Sequence, residues 1–155
     1  MSLAADERGA AMVEYLIAFL PVMMLFASIW QVADAYAAHL IVQRAASAAG
    51  RAASVVLPDD PFFYGGAPVD VYEGVRRAQI ERAAHLVLVA SSKIAAAPEV
   101  RIEGTFSGNG PITATVDARY RCYPGWGVLV CGVDGLLPLT ASARYPYHGA
   151  RYGYP

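Results

Sequence analysis

Residues 15–33 read YLIAFLPVMMLFASIWQVA, an unbroken stretch without a charge, closed by Glu14 on one side and Asp34 on the other. As an α-helix rising about 1.5 Å per residue, the stretch covers roughly 28 Å, close to the hydrocarbon thickness of a bilayer. It is apolar on every side, which a surface helix of a water-soluble domain is not. A transmembrane helix over about 15–33 is therefore expected. Pro21 falls inside the stretch. Proline is tolerated in membrane helices because neighbouring groups satisfy the carbonyl it frees, and a kink there fits. Tyr15 suits the near interface, and Trp30 and Tyr36 the far one.

A cleaved secretory signal would carry a basic n-region and a shorter apolar core. Ala4-Ala5-Asp6-Glu7-Arg8 has no net positive charge, although Ala33-Asp34-Ala35 and Ala35-Tyr36-Ala37 each fit an A-x-A exit. A soluble secreted form released at Ala35 or Ala37 thus stands as one alternative. A single-pass anchor that keeps its N-terminus and carries an extracytoplasmic binding or sensory domain is another. Arg8 precedes the span, and Arg44 and Arg51 follow it, so basic residues alone do not orient it.

Composition narrows the rest. Of 155 residues, 56% are apolar and 16% charged, against about 25% charged in ordinary globular chains. Such a chain has ample apolar surface to bury, which excludes disorder for most of it. The length leaves room for one domain. A net charge of −1 does not suit a binder that works by neutralising phosphates, so no nucleic-acid partner is expected.

The residues just before the span carry the functional signal: Glu7-Arg8-Gly9-Ala10-Ala11-Met12-Val13-Glu14-Tyr15. A glutamate at the entry to a membrane helix is unfavourable, by about 2.5–3.5 kcal/mol at mid-bilayer and less near the edge, and invites a partner. This arrangement resembles the class III signal of type IV pilins and pseudopilins. It is most similar to the TadE/TadF-like minor pseudopilins of the tight-adherence (Tad) and Flp pilus systems. The resemblance covers residues 7–35 and is architectural beyond them. It implies a leader, 1–9, removed by a prepilin peptidase after Gly9. Ala10 then becomes the first mature residue, Glu14 the fifth, and Tyr15 completes the Glu-Tyr pair of the Flp branch. The acidic pair Asp6-Glu7 departs from the usual basic leader, a feature that Arg8 alone keeps. The implied partners are the peptidase, other pilin or pseudopilin subunits, an inner-membrane assembly platform and membrane lipid. The implied location is the bacterial inner membrane, N-terminus cytoplasmic, with the C-terminal domain outside.

The helical signal continues past the span, since alanine and arginine favour helix. One long helix is expected over 10–56, ended by Leu57-Pro58-Asp59-Asp60-Pro61. The extracytoplasmic α+β domain is expected over 57–155. The small residues Ala45-Ala46-Ser47-Ala48-Ala49-Gly50 suit either a second helix at close range or ordinary core packing. Phe62-Phe63-Tyr64 is expected to fold back on the core. A second, amphipathic helix is expected over about 71–96, with Asp70 as its N-cap. Ile80, Ala83, Ala84, Val87, Ser91 and Ile94 form its apolar stripe, and Arg76, Arg77, Glu81, Arg82 and Lys93 lie mostly opposite. Apolar Leu86-Val87-Leu88-Val89 suggests burial on more than one side, or a subunit contact.

From Glu99 the period becomes two. Val100, Ile102 and Phe106 share one face, Gly108-Asn109-Gly110-Pro111 reads as a turn, and Ile112–Arg121 and Leu139–Tyr147 alternate as further strands. The result is an antiparallel sheet of three to four strands packed on helices. The tyrosine-rich tail from Tyr145 to Pro155 reads as a frayed terminus, with a contact surface as the alternative.

Cys122 and Cys131 bracket a turn-rich loop containing Pro124-Gly125-Trp126-Gly127. In an extracytoplasmic domain they argue for one disulfide, worth roughly 2.5–3 kcal/mol in the chain-entropy account. His39, His85 and His148 are scattered, and no metal or cofactor motif accompanies them. The acidic pair Asp59-Asp60 sits in a proline turn, and no nucleophile elbow, P-loop or dinucleotide fingerprint is present. The sequence reads as a non-catalytic assembly protein.

Overall fold

The computed structural model describes residues 7–106, 109–125 and 127–149. The residues of the expected leader up to Asp6, together with Gly108, Trp126 and the tail from Ala150, lie outside the described residues. The fold is α+β. Helix α1 (Glu7–Val56, 50 residues) runs unbroken through Pro21. A short 3-10 turn (Pro61–Tyr64) and helix α2 (Gly74–Leu88) follow. The strands are β1 (Ile94–Gly104), β2 (Asn109–Arg121) and β3 (Leu136–His148), with a one-turn helix α3 (Val128–Cys131) between the last two. The sheet is antiparallel in the order β1-β2-β3.

Helix α1 has two halves with opposite surroundings. Residues 11–30 are exposed almost throughout, Phe26 and Trp30 included. An 18-residue window within α1 reaches a mean hydropathy of 2.0, so the helix is long and apolar enough to cross a membrane. Ser28 Oγ donates to the Met24 carbonyl at 2.8 Å, so that hydroxyl is satisfied within the helix.

Burial begins at Gln31. From there α1 presents Ala35, Ala38, Val42, Ala45, Ala46, Ala49 and Ala53 to α2 and to one sheet face. That face carries Val100, Ile102, Ile112, Ala114, Val116, Ala118, Tyr120, Ala141 and Tyr147. Alanines on both surfaces let helix and sheet approach closely. The alanine-rich stripe is therefore core packing within the chain. The opposite sheet face is polar: Arg101 pairs with Asp117, and Thr140 Oγ1 donates to Asp117 at 2.5 Å.

Several boundaries differ from the sequence expectation. Helix α2 stops at Leu88, and β1 begins at Ile94 instead of Glu99. Ala95 favours helix intrinsically, but pairing of Ile94 with Tyr120 and of Ala95 with Arg119 overrides that preference. A register shift between Ala95 and Glu99 accommodates Pro98, which has no N–H for the ladder. Asn109-Gly110-Pro111 belongs to β2, paired with Pro146–His148, rather than to the turn. Tyr145 and Tyr147 likewise belong to β3, and Tyr147 is buried.

Asp70 is not the cap of α2; Glu73 occupies that position without a side-chain bond. Asp70 instead has a positive φ of 61° and accepts a hydrogen bond from the Tyr147 hydroxyl. Of the three aromatics 62–64, only Tyr64 turns inward. Phe62 and Phe63 stay exposed and meet edge to face at 5.7 Å, because Asp60 caps the 3-10 turn and fixes its direction. Leu88 is buried, whereas Leu86 and Val89 are exposed.

Arg76, expected on the polar face of α2, is fully buried. Its guanidinium donates to the carbonyls of Val56, Leu57, Asp59 and Ala67 and lies 4.2 Å from the Tyr64 ring centroid. It thereby satisfies the Val56 carbonyl, which the end of α1 leaves without a helical partner, at a position where a cation is also favoured by the helix dipole, and ties the loop carbonyls of Asp59 and Ala67 to it.

Candidate functional site

The residues singled out from sequence fall at the two ends of the exposed half of α1. At the amino-terminal end, Gly9, Ala10, Glu14 and Tyr15 all lie on one continuous helix. Gly9 is exposed, and a Cβ built there meets nothing within 4 Å, so packing does not demand a glycine. Ala10 and Glu14 stand four positions apart and share a helix face. The side chain of Ala10 lies outside the described residues. Glu14 is exposed. Tyr15 stacks on Phe19 with ring centroids 5.4 Å apart.

At the other end, the globular part is fastened to α1 by polar groups that periodicity does not single out. Gln31 is 2% exposed. Its amide nitrogen donates to the Tyr120 hydroxyl, and its oxygen accepts from the Tyr123 N–H, both at 3.3 Å. One turn on, Asp34 pairs with Lys93 and accepts from the Tyr120 hydroxyl at 2.8 Å. Burial works against ionisation of Asp34, but the hydrogen bonds from Lys93 and Tyr120 and the Lys93 charge outweigh it and hold the carboxyl below its ordinary value. Lys93 is partly desolvated too, yet its bonds to Asp34 and Tyr123 raise its pKa. Burial, reinforced by the bond to Asp34, pushes the Tyr120 phenol up to about 12. All three groups keep their ordinary charge at neutral pH.

Cys122 and Cys131 are joined, with Cα atoms 6.4 Å apart. The bond closes the loop that carries Tyr123. Gly127 is required in this loop, since a Cβ there would lie 2.8 Å from Cys122 Cβ and closer still to the Tyr123 carbonyl. Lys93 also reaches the Tyr123 hydroxyl and lies 3.8 Å from that ring's centroid. Among the described residues, no group of three or more His, Cys, Asp or Glu is gathered as a metal site would need.

No sequence pattern marks the Gln31–Tyr120–Asp34–Lys93 cluster as a unit. Its traces in the sequence are an amide inside the uncharged stretch and the chain's single lysine.

No protein-family model, no curated protein and no solved structure matches this chain.

Proposed function

We propose that the chain is a pilin-like minor subunit, a pseudopilin of the TadE/TadF kind, that takes part in building a Tad- or Flp-type filament. The observation that carries this reading is the division of α1. A 50-residue helix exposes its apolar first half and buries its second half as the spine of a small α+β domain. The Gly9–Glu14–Tyr15 signature sits directly ahead of the exposed half. The open space around Gly9 supports a role in recognition by a peptidase, because nothing in the packing calls for glycine there.

On this reading the helix spans the bacterial inner membrane with its N-terminus in the cytoplasm. A prepilin peptidase removes residues 1–9 and frees the amine of Ala10. The span then packs beside other pilin-type helices at an inner-membrane assembly platform. The protein is a substrate of the peptidase and does no chemistry of its own. Release at Ala35 or Ala37 fits the packing less well. It would discard Gln31 and Asp34, which hold Tyr120, Tyr123 and Lys93.

The test is the N-terminal sequence of the mature protein made alongside its own prepilin peptidase. A start at Ala10 is expected. A start at Met1 or Ser2 would identify a plain anchor, and one at Tyr36 or Ala38 a secreted protein. Gly9→Phe should leave the full-length form without disturbing the fold.

A further inference from the structure

Beside the last turns of the exposed apolar helix lies an open cleft of about 620 Å³, lined by Phe26, Ala27, Trp30, Gln31, Tyr123 and Pro124. One wall belongs to the exposed half of α1 and the other to the disulfide loop. The Gln31 amide holds the two together through the Tyr123 N–H. From this we infer that the disulfide loop is a membrane-surface element: Tyr123 and Pro124 enter the outer edge of the bilayer beside Trp30, and the cleft takes phospholipid acyl chain.

Depth carries the argument. From Glu14 to Trp30 the helix rises roughly 24 Å, and from Ala11 roughly 28 Å. With either residue at the near edge of a hydrocarbon layer about 30 Å thick, Trp30 falls within about 6 Å of its outer edge. Tyr123 and Pro124 are clamped to that same turn and share its level. Their chemistry suits the level. Trp30 is 62% and Tyr123 45% exposed, and amphipathic rings of this kind favour the headgroup boundary. Val128 and Val133, on and just after the loop, are exposed as well. Lys93 lies against the Tyr123 ring and pairs with Asp34, one turn of α1 beyond Trp30. Lipid is favoured over a second protein chain because the cleft continues the apolar surface of the span itself. The inference rests on α1 crossing a membrane and on nothing specific to filament assembly.

Bromolipid quenching tests it. In full-length protein carrying Trp30→Phe and Trp126→Phe, a single tryptophan is introduced by Leu16→Trp, Tyr123→Trp or Phe62→Trp. Each variant is reconstituted in phosphatidylcholine vesicles brominated at acyl carbons 6 and 7. Quenching for Tyr123→Trp should reach at least half that for Leu16→Trp and exceed that for Phe62→Trp several-fold. Pro124→Trp gives the same reading where Tyr123→Trp loses its disulfide. Strong quenching for Leu16→Trp with no more at 123 and 124 than at 62 overturns the inference alone. Absent quenching for Leu16→Trp removes the membrane span, and the inference with it. Protection of position 123 from aqueous iodide without bromolipid quenching identifies a protein neighbour in the cleft and likewise overturns it.

Discussion

The ring of Tyr145 occupies the space that a side chain at Gly50 would fill. A Cβ built at Gly50 would stand 2.7 Å from Cε2 of that ring and nearer still to Cδ2. This contact fixes how closely α1 approaches β3. Alanine is the better helix former by about 1 kcal/mol, but overpacking of this kind costs about 1–3 kcal/mol and here involves a ring confined by the sheet. Gly50→Ala should therefore lower stability by up to about 2 kcal/mol in a thermal melt of the detergent-solubilised protein. Adding Tyr145→Leu should recover part of the loss, since the two changes share one contact and are not additive. A Gly50→Ala protein as stable as the wild type would show that the helix shifts freely on the sheet.

The buried Arg76 guanidinium ties the end of α1 to the loop that leads into α2. Arg76→Met keeps the length of the side chain and removes its donors, leaving the carbonyls of Val56, Asp59 and Ala67 short of partners, while Leu57 keeps the Asp70 N–H at 2.9 Å. Each such group forfeits about 1–3 kcal/mol, less where water reaches it. A total loss of about 3 kcal/mol or more is expected, with hydrogen exchange rising first in residues 57–70. Exchange that rises evenly over the domain would mean that Arg76 supports the whole core and not this loop.

Asp34 and Asp117 are both held below the ordinary carboxyl value. For Asp117 the Thr140 hydrogen bond leads, burial opposes, and Arg101 adds to the lowering. A carboxyl lowered in the folded state contributes stability that is complete above its unfolded value, about 3.9, and is lost as pH falls through the folded value. The domain should hold its stability from neutral pH down to about pH 5 and lose part of it below about pH 4. Asp34→Asn should flatten that acid limb while lowering the neutral plateau. Melting temperatures at pH 3, 5 and 7 for the two proteins decide it. An acid limb of unchanged steepness in Asp34→Asn would assign the loss to other carboxyls.

Periodicity made much of this fold legible. The uncharged stretch and the prolines at 58 and 61 located α1, and alternation located the sheet. Local signals misled where long-range pairing prevailed. Ala95 reads as helix but pairs with Arg119, and Arg76 reads as a solvated charge but is claimed by carbonyls around the end of α1. The two ends of the candidate site differ in the same way. Gly9, Glu14 and Tyr15 form a linear motif and are visible in sequence order. The Gln31–Tyr120 and Asp34–Lys93 contacts join residues 89 and 59 positions apart, and no local pattern encodes them.

Glu14 bears most directly on the proposed assembly role. It is exposed on α1 next to Tyr15 and just ahead of the apolar stretch, where an unpaired charge is unfavourable and a paired one is strongly held. On the proposed reading, removal of residues 1–9 would place the amine of Ala10 on a neighbouring subunit at a similar depth. With an ordinary pKa of about 7.7–8.0, that amine is mostly protonated at neutral pH. The pair would set the axial register of one helix against the next, a matter of specificity more than of stability. The globular core begins at Gln31, several turns away, so Glu14→Gln should insert, fold and form the Cys122–Cys131 bond as the wild type does. It should nevertheless fail to copurify with partner subunits or to support filament function. Normal assembly in a Glu14→Gln strain would leave Glu14 a juxtamembrane charge without an assembly role.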